Sequence, residues 1–219
     1  VLPRISALFK IAPGLSSRLC GGMGYKAPTI FTEDTERIQY RDVLPISKDL
    51  NKLERSYGAN WDINYTTSLF DDCISFSVNQ LFFYTRINSP LLMTDTDEGL
   101  YRMANIDGHI DTKGIETNLK LGYDDLHLYL GYTYTDVRTS DEYGKYENFL
   151  TPKHRFNAML MYEVEDSWRV GLESYYYSKQ KLSDGKEGKP YTMFGFMVEK
   201  IWEHFSLFAN FENFTDRRQ

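Results

Sequence analysis

Hydrophobic and polar residues alternate along most of the chain with a period of two. In the segment 126–134 one set consists of leucines and tyrosines, whereas the other contains His127, Gly131 and Thr133. Segments 114–123, 154–164 and 206–213 alternate in the same way. A period of two places successive side chains on opposite faces of an extended strand. The pattern therefore predicts β-strands with one apolar and one polar face.

Ten such strands are predicted, and together they give an all-β fold, an antiparallel meander of long strands. Several exceed the roughly 5–6 residues that are usual for strands of globular proteins. A tilted strand that crosses a bilayer needs about 9–11 residues, so these lengths favour a membrane barrel. The predicted strands lie near 4–11, 16–26, 53–69, 73–87, 101–123, 126–138, 153–164, 168–180, 191–201 and 205–214.

The connections alternate between tight turns and long loops. Outer-membrane barrels have short periplasmic turns and longer extracellular loops, so this order indicates the direction of every strand. The tight turns are Pro13-Gly14, Asp71-Asp72, Asp124-Asp125, Glu165-Asp166 and Glu203-His204, and the long loops are 27–52, 88–100, 139–152 and 182–190.

Aromatic residues cluster where the strands are expected to meet the membrane interfaces. Phe82-Phe83-Tyr84 and Tyr175-Tyr176-Tyr177 lie near the outer ends of their strands, and Trp168, Trp202 and Phe205 flank tight turns. This is the two-girdle pattern of a transmembrane barrel. Gln80 fits poorly, because it falls on an otherwise apolar face; it is expected above the hydrocarbon or at a β-bulge.

Composition restricts the function more than the fold. Mean hydropathy is −0.49, and no apolar run is long enough for a transmembrane helix, but barrels are also polar on average. The net charge is −6 and the basic residues form no cluster, which argues against nucleic-acid binding. Cys20 and Cys73 lack a metal-ligand spacing and are better read as two unrelated small residues than as a pair.

No catalytic set emerges, and neither an enzyme nor a cofactor or metal site is predicted. His109, His127, His154 and His204 lie in different segments, and paired carboxylates such as Asp71-Asp72 are typical turn residues. Asp95–Gly99 lacks the ligand spacing of a calcium loop, so a solvated loop tip is expected there.

Five segments resemble the barrel half of TonB-dependent receptors, in the family's order and over almost the whole chain. They are Gly24–Phe31, Leu53–Gly58, Asn105–Asp107 with Lys113–Glu116, Thr151–Arg155 and Asn213–Arg217. The resemblance implies a barrel of about 22 strands, of which these ten resemble the twelfth to the twenty-first. A plug domain, the TonB box and the first barrel half would precede Val1. One closing strand would follow Gln219, because the last strand runs outward.

The resemblance implies an outer-membrane receptor that imports a scarce nutrient, most simply a ferric siderophore, with cobalamin, haem, another chelate or a glycan left open. Its expected partners are outer-membrane lipid, a small-molecule metal chelate and the TonB-ExbB-ExbD complex, reached through the plug. Residues expected to contact substrate from the outer loops are Arg37, Tyr40, Arg41, Arg138, Tyr143 and Tyr146. Residues expected to face the lumen or the plug are Asn60, Asp62, Asn64, Glu116, Asn118, Arg155, Asn157 and Glu173.

Three other classes of protein remain open from the residues. A complete small outer-membrane barrel, possibly an enzyme, would also show long alternating strands. A soluble β-sandwich or ligand-binding barrel would share the alternation but has no reason to sort its loops by length. An adhesin or signalling receptor on the same scaffold is the third.

Overall fold

The computed structural model of the protein describes residues 2–49, 51–182 and 185–217. The residues outside these ranges are Val1, Leu50, Ser183, Asp184, Arg218 and Gln219. Parts of the predicted loops 27–52 and 182–190 and both predicted chain ends therefore lie outside the described residues. The strands are β1 (Arg4–Ala12), β2 (Leu15–Lys26), β3 (Glu54–Leu69), β4 (Ile74–Asn88), β5 (Leu91–Asp95), β6 (Tyr101–Asn105), β7 (His109–Tyr123), β8 (Leu126–Asp141), β9 (Gly144–Glu147), β10 (His154–Val164), β11 (Trp168–Tyr177), β12 (Gln180–Lys181), β13 (Glu187–Gly188), β14 (Tyr191–Ile201) and β15 (Ser206–Phe211).

Ten of these strands form one antiparallel meander, which confirms the predicted fold. Their order in the sheet is β1-β2-β3-β4-β7-β8-β10-β11-β14-β15, and β9 pairs with the outer part of β8. Within the described residues β1 and β15 are the two edges and do not pair with each other, so the sheet is not closed. The five-residue helix α1 (Glu33–Arg37) lies in the loop after β2, and no described helix has the length and apolarity needed to cross a membrane.

The prediction of one continuous strand over 101–123 was wrong. β6 leaves the main sheet and forms a hairpin with β5 instead, and the main sheet resumes at His109. The break falls at Asp107-Gly108, where a Cβ on Gly108 would lie 2.2 Å from the Ser140 carbonyl oxygen. Only glycine permits that close approach. The loop 88–100 thus contains half of a folded hairpin.

The tight turns all lie at one end of the sheet and the long connections at the other, as predicted. Asp71, Asp72, Asp124 and Asp166 have positive φ angles between 51° and 68°. Aspartate tolerates this left-handed conformation better than most residues, which explains the acidic turns. We call these two ends the turn end and the loop end.

The register separates the side chains into two faces. On the apolar face, successive strands present residues such as Trp61, Phe82, Ile115, Tyr134 and Phe156. The polar face presents their sequence neighbours, and one row runs Asn64, Asn79, Asn118, Gly131, Asn157 across five strands. The alternation in the sequence therefore corresponds to two physically distinct surfaces.

The sheet has almost no hydrophobic core. Among the described residues the buried hydrophobic side chains are Leu91 and Met103, and both belong to the β5-β6 hairpin. Ile5, Leu19, Tyr123 and Leu160 on the apolar face are 43–77% exposed. The accessible surface is 15346 Å², whereas a compact monomer of this length exposes roughly 10,000 Å². An apolar surface of this extent requires a lipid or protein environment.

Gln80 lies on the apolar face with its polar groups paired. Its side-chain oxygen accepts a hydrogen bond from Thr117 Oγ1 at 2.6 Å, and its Nε2 donates to the Glu116 carbonyl oxygen at 3.2 Å. Pairing from Ile74 to Asn88 is continuous with both neighbouring strands, so the expected bulge is absent. The cross-strand hydrogen bond explains how an amide is tolerated there.

The Gln80–Thr117 hydrogen bond gives a testable prediction. We expect Thr117→Val to lower the free energy of unfolding by about 1 kcal/mol, because the Gln80 oxygen loses its side-chain donor in an apolar environment. Adding Gln80→Leu to that variant should restore most of the loss. Urea titration in lipid vesicles measures both values, with Thr133→Val on the polar face as the control. Equal destabilisation of the single and double variants would show that the hydrogen bond is not responsible.

Candidate functional site

The polar face carries a connected network centred on Asp62. Asp62 is 1% exposed, its Oδ2 accepts from Arg18 Nε at 2.9 Å, and its Oδ1 accepts from Asn64 Nδ2 at 2.7 Å. Asn79 donates in turn to Asn64 at 2.7 Å. The charge-assisted Arg18–Asp62 contact joins β2 to β3, and the Asn79–Asn64 hydrogen bond joins β4 to β3. The Arg18 side chain is 52% exposed, which leaves part of its guanidinium available.

A second group of predicted lumen residues lines one shallow cavity of about 260 Å³ on β7, β8, β10 and β11. Glu116 accepts from Asn118 Nδ2 at 2.7 Å within this group. Glu173 lies in the same region and accepts from the Tyr175 hydroxyl at 2.7 Å. Asn60 lines a different cavity, of about 340 Å³, together with Cys20. The members of the first cavity are Glu116, Asn118, Thr133, Arg155, Phe156, Asn157, Tyr175, Tyr176 and Tyr177.

Three of the predicted substrate contacts lie in the loop after β2. Arg37 ends helix α1, and its guanidinium is 3.9 Å from the Asp34 carboxylate. Tyr40 packs edge-on against Phe31 with 5.7 Å between ring centroids, and Arg41 is exposed. Thr32 caps the helix in a capping box, which fixes this segment at the loop end.

The other three lie on the β8-β9 hairpin. Arg138 Nε is 3.0 Å from Asp136 Oδ2, and the register places Arg138 on the same face as Tyr134. Tyr143 is 88% exposed at the hairpin tip, and the Tyr146 hydroxyl donates to Asp141 at 2.8 Å. No hydrogen bond, ion pair or ring contact found among the described residues joins this group to the loop after β2. That the residues of the loop after β2 and those of the β8-β9 hairpin contact one substrate stays a prediction.

The structure adds an ionic cluster that the sequence did not indicate. Glu147 in β9 contacts the ammonium groups of Lys153 and, at 3.4 Å, Lys181, so the β8–β10 connection meets the β11–β14 connection. The hydrogen bond from Lys153 lowers the pKa of Glu147, with burial opposing it, and the same bond raises the pKa of Lys153. A cavity of about 400 Å³ adjoins the cluster at the loop end. Its members are 6 to 34 residues apart in sequence, which hides the cluster from sequence inspection.

We expect this cluster to make the loop end sensitive to acid. Because the folded pKa of Glu147 is lowered, its stabilisation is complete above the ordinary glutamate pKa and is lost as the pH falls through the lowered value. Hydrogen exchange of segment 142–153, corrected for intrinsic rates, should be several-fold less protected at about pH 3 than at about pH 7. Glu147→Gln should abolish most of that difference. An unchanged pH response in this variant would assign it to other groups.

Neither cysteines nor metal ligands are grouped in the part of the chain that the structure describes. Cys20 and Cys73 are both free, and Cys20 Sγ lies 3.1 Å from Ser6 Oγ. No three His, Cys, Asp or Glu side chains among the described residues are arranged to hold a metal ion. His154 stacks on Tyr132 and hydrogen-bonds its hydroxyl at 2.9 Å, as a structural histidine does.

Fold and faces together define a class of protein. A long-stranded antiparallel sheet with one apolar and one polar face is typical of the wall of a transmembrane β-barrel. The family model described as TonB dependent receptor-like, beta-barrel matches residues 1–214. The chain therefore belongs to that family, whose members are transport receptors rather than enzymes. No curated protein sequence matches the chain.

Solved structures similar to the chain share its fold at low sequence identity. The siderophore receptor PiuA from Acinetobacter baumannii has a TM-score of 0.70 and 17% identity over 98% of this chain and 32% of its own. The copper transporter OprC has a TM-score of 0.72 and 12% identity over 98% of this chain and 33% of its own. The ferric-catecholate import receptor Fiu from K12 E. coli has a TM-score of 0.63 and 13% identity over 98% of this chain and 30% of its own. The chain thus spans about a third of these proteins.

Proposed function

We propose that the chain is part of the wall of an outer-membrane receptor that imports a scarce nutrient, a ferric siderophore, with energy delivered through TonB. The observation that carries the proposal is the two-faced sheet without a core: lipid suits the apolar face, and the polar face suits a water-filled or plugged lumen. Family membership supports the same interpretation. No chemical step is assigned to this chain.

The proposal includes a larger barrel than the ten strands described. The two edge strands do not pair with each other, and an unpaired edge in a bilayer leaves backbone groups unsatisfied at several kcal/mol each. The similar structures are about three times as long as the chain, which leaves room for a plug and further strands. In this arrangement the Asp62 network and the cavity around Glu116 and Arg155 would face the plug.

Substrate capture is assigned to the loop end. Arg37 and Arg41 would face an anionic ferric chelate, while Tyr40, Tyr143 and Tyr146 would stack against it. Arg138 is kept as a third cation for the chelate, although it pairs with Asp136 and lies on the apolar face of β8. Loops on a rigid scaffold commonly carry recognition, and cations with aromatic rings suit an anionic ligand.

Uptake of radiolabelled iron siderophores by cells with and without the intact receptor tests the function. Loss of uptake of one siderophore class in the deletion strain, restored by the intact gene, is the expected result. In the restored strain, Arg37→Ala with Arg41→Ala and Tyr146→Ala should reduce uptake at least about tenfold, as removal of several direct contacts does. Lys145→Ala, also exposed in β9, is the control. Unchanged uptake in the deletion strain for every metal chelate offered would overturn the import function.

A further inference from the structure

Three cations that have no acidic partner among the described residues line one cavity at the loop end of the sheet. Lys48, Lys52 and Arg55 line a space of about 490 Å³, whose other lining residues, Asn51, Leu53, Asn88 and Ser89, are uncharged. All three cations are exposed. None of them takes part in an ion pair with a described residue. We call this space the basic cavity.

Other cations near the same end of the apolar face have acidic partners. Arg86 contacts Asp111 at 2.6 Å, and Lys113 and Arg138 both contact Asp136, at 3.9 and 3.0 Å. The charge of these cations is compensated by a neighbouring carboxylate, whereas no described carboxylate pairs with the cations of the basic cavity. An uncompensated cluster of like charges is costly unless an anion binds to it.

The segment that carries the basic cavity is held in place by two amide side chains. Asn51 is 9% exposed, donates to the Met103 carbonyl oxygen at 2.6 Å and accepts from the Ser47 amide at 2.9 Å. Asn105 accepts from the Lys52 amide at 2.7 Å and donates to its carbonyl oxygen at 3.2 Å. The backbone around the two lysines is therefore fixed against the β5-β6 hairpin, which reduces the ordering cost of binding.

An apolar groove continues from the basic cavity along the sheet. This second space, of about 370 Å³, is lined by Leu2, Met23, Gly24, Tyr25, Leu53 and Arg55, so Leu53 and Arg55 belong to both. Tyr25, Arg55 and Asn88 form one row across β2, β3 and β4, on the same face as Trp61 and Phe82. A positively charged cavity next to an apolar groove fits a lipid that has an anionic head group.

The height of Arg55 on the sheet fits a membrane interface. Arg55 lies two residues beyond Tyr57 towards the loop end, or about 7 Å along the strand, and Tyr57 is the outermost aromatic residue of β3 on the apolar face. Amphipathic rings occupy the headgroup region, and basic side chains extend to the phosphates just beyond it. A soluble substrate in the lumen would meet the opposite face.

We propose that the basic cavity and the adjoining groove bind a phosphorylated, acylated lipid of the outer leaflet, with its phosphate among Lys48, Lys52 and Arg55 and an acyl chain along Met23 and Tyr25. The inference rests on the proposed membrane placement. It adds a lipid site on the outside of the barrel, separate from any substrate site in the loops. Arginine and lysine are the usual partners of phosphate oxygens.

Native mass spectrometry of the intact receptor in detergent, titrated with diphosphorylated lipid A, tests this site. Each cation near a lipid phosphate is expected to contribute roughly fivefold, so Lys48→Gln with Lys52→Gln and Arg55→Gln should weaken retention about 100-fold. Arg102→Gln with Lys145→Gln and Lys189→Gln removes the same charge from other loops and should retain the lipid. Arg55→Gln alone should weaken retention about fivefold, which keeps the test valid if the triple variant folds poorly.

Two further measurements distinguish a lipid phosphate from free inorganic phosphate as the ligand. Leu53→Gln with Met23→Gln should weaken binding of lipid A, and inorganic phosphate should not displace the lipid at equal concentration. Equal retention by wild-type and triple variant, indifference to removal of the lipid phosphates, or displacement by inorganic phosphate would each overturn the inference. If the receptor imports its substrate but retains no lipid, the lipid site is wrong and the proposed import function still stands.

Discussion

Replacing Leu119 by arginine is expected to lower the free energy of unfolding of the intact receptor in lipid vesicles by about 2–4 kcal/mol. Leu119 lies in the middle of the apolar face of β7, between Val78 and Leu130 on the neighbouring strands. A charged side chain at the centre of a bilayer must be desolvated or must thin the membrane around it, and both are costly. Guanidinium titration of the refolded protein measures the difference.

The adjacent residue supplies the matched control. Asn118 precedes Leu119 on the same strand but lies on the polar face, hydrogen-bonded to Glu116. Asn118→Arg introduces the same side chain next to a carboxylate and water, and we expect a change within about 1 kcal/mol. If both arginines cost the same, the two faces do not lie in different environments.

Gly114→Ala is the second substitution expected to have a large effect. A Cβ at this position would lie 2.0 Å from the Tyr134 carbonyl oxygen and 2.6 Å from Phe83 Cζ, so both the β8 backbone and an aromatic ring would have to move. We expect a loss of about 3 kcal/mol or more, because overpacking against a backbone carbonyl has no flexible side chain to absorb it. Thermal or guanidinium unfolding in vesicles gives the value.

Gly171→Ala makes the same chemical change where space is available. The nearest atom to a Cβ there is Met197 Cε at 3.8 Å, an ordinary contact distance. Its effect should stay within about 1 kcal/mol. A comparable loss at both glycines would contradict the close approach of β8 at Gly114 as the cause of the cost, because alanine is otherwise favoured over glycine in a strand.

The strands and their faces could be predicted from sequence because both follow from a local period of two. Phe156 and Asn157 are neighbours with opposite character, and each lies on the face that its chemistry requires. The turn end could also be predicted, since acidic pairs such as Asp124-Asp125 are local turn signals. Information of this kind needs no knowledge of which strand lies beside which.

What could not be predicted depends on contacts between distant segments. Asp107-Gly108 is a local turn signal, but nothing in the sequence indicates that β6 pairs with β5 instead of continuing the main sheet. The break is fixed by Asn105, whose amide binds Lys52, 53 residues away. Likewise, Asp62 was placed on the polar face, but its burial beneath Arg18 follows from the β2-β3 register.

The loop-end sites were the least accessible to sequence reasoning. Glu147 meets both Lys153 and Lys181 only after the β8–β10 and β11–β14 connections pack together. The charges at Lys48, Lys52 and Arg55 are spread among neutral and acidic neighbours in sequence, and they line one cavity only because Asn51 and Asn105 tie the loop to the hairpin. Substrate contacts assigned to Arg37 and Tyr146 remain predictions.

Site-directed spin labelling of the intact receptor in lipid vesicles tests the membrane placement of the sheet most directly. Labels at Leu128 and Phe156 should collide often with oxygen and rarely with a water-soluble nickel chelate. Labels at His127 and Asn157 should show a lower ratio of oxygen collisions to nickel-chelate collisions. An aqueous environment at Leu128 and Phe156 would contradict a barrel wall in lipid, and with it the proposed import receptor.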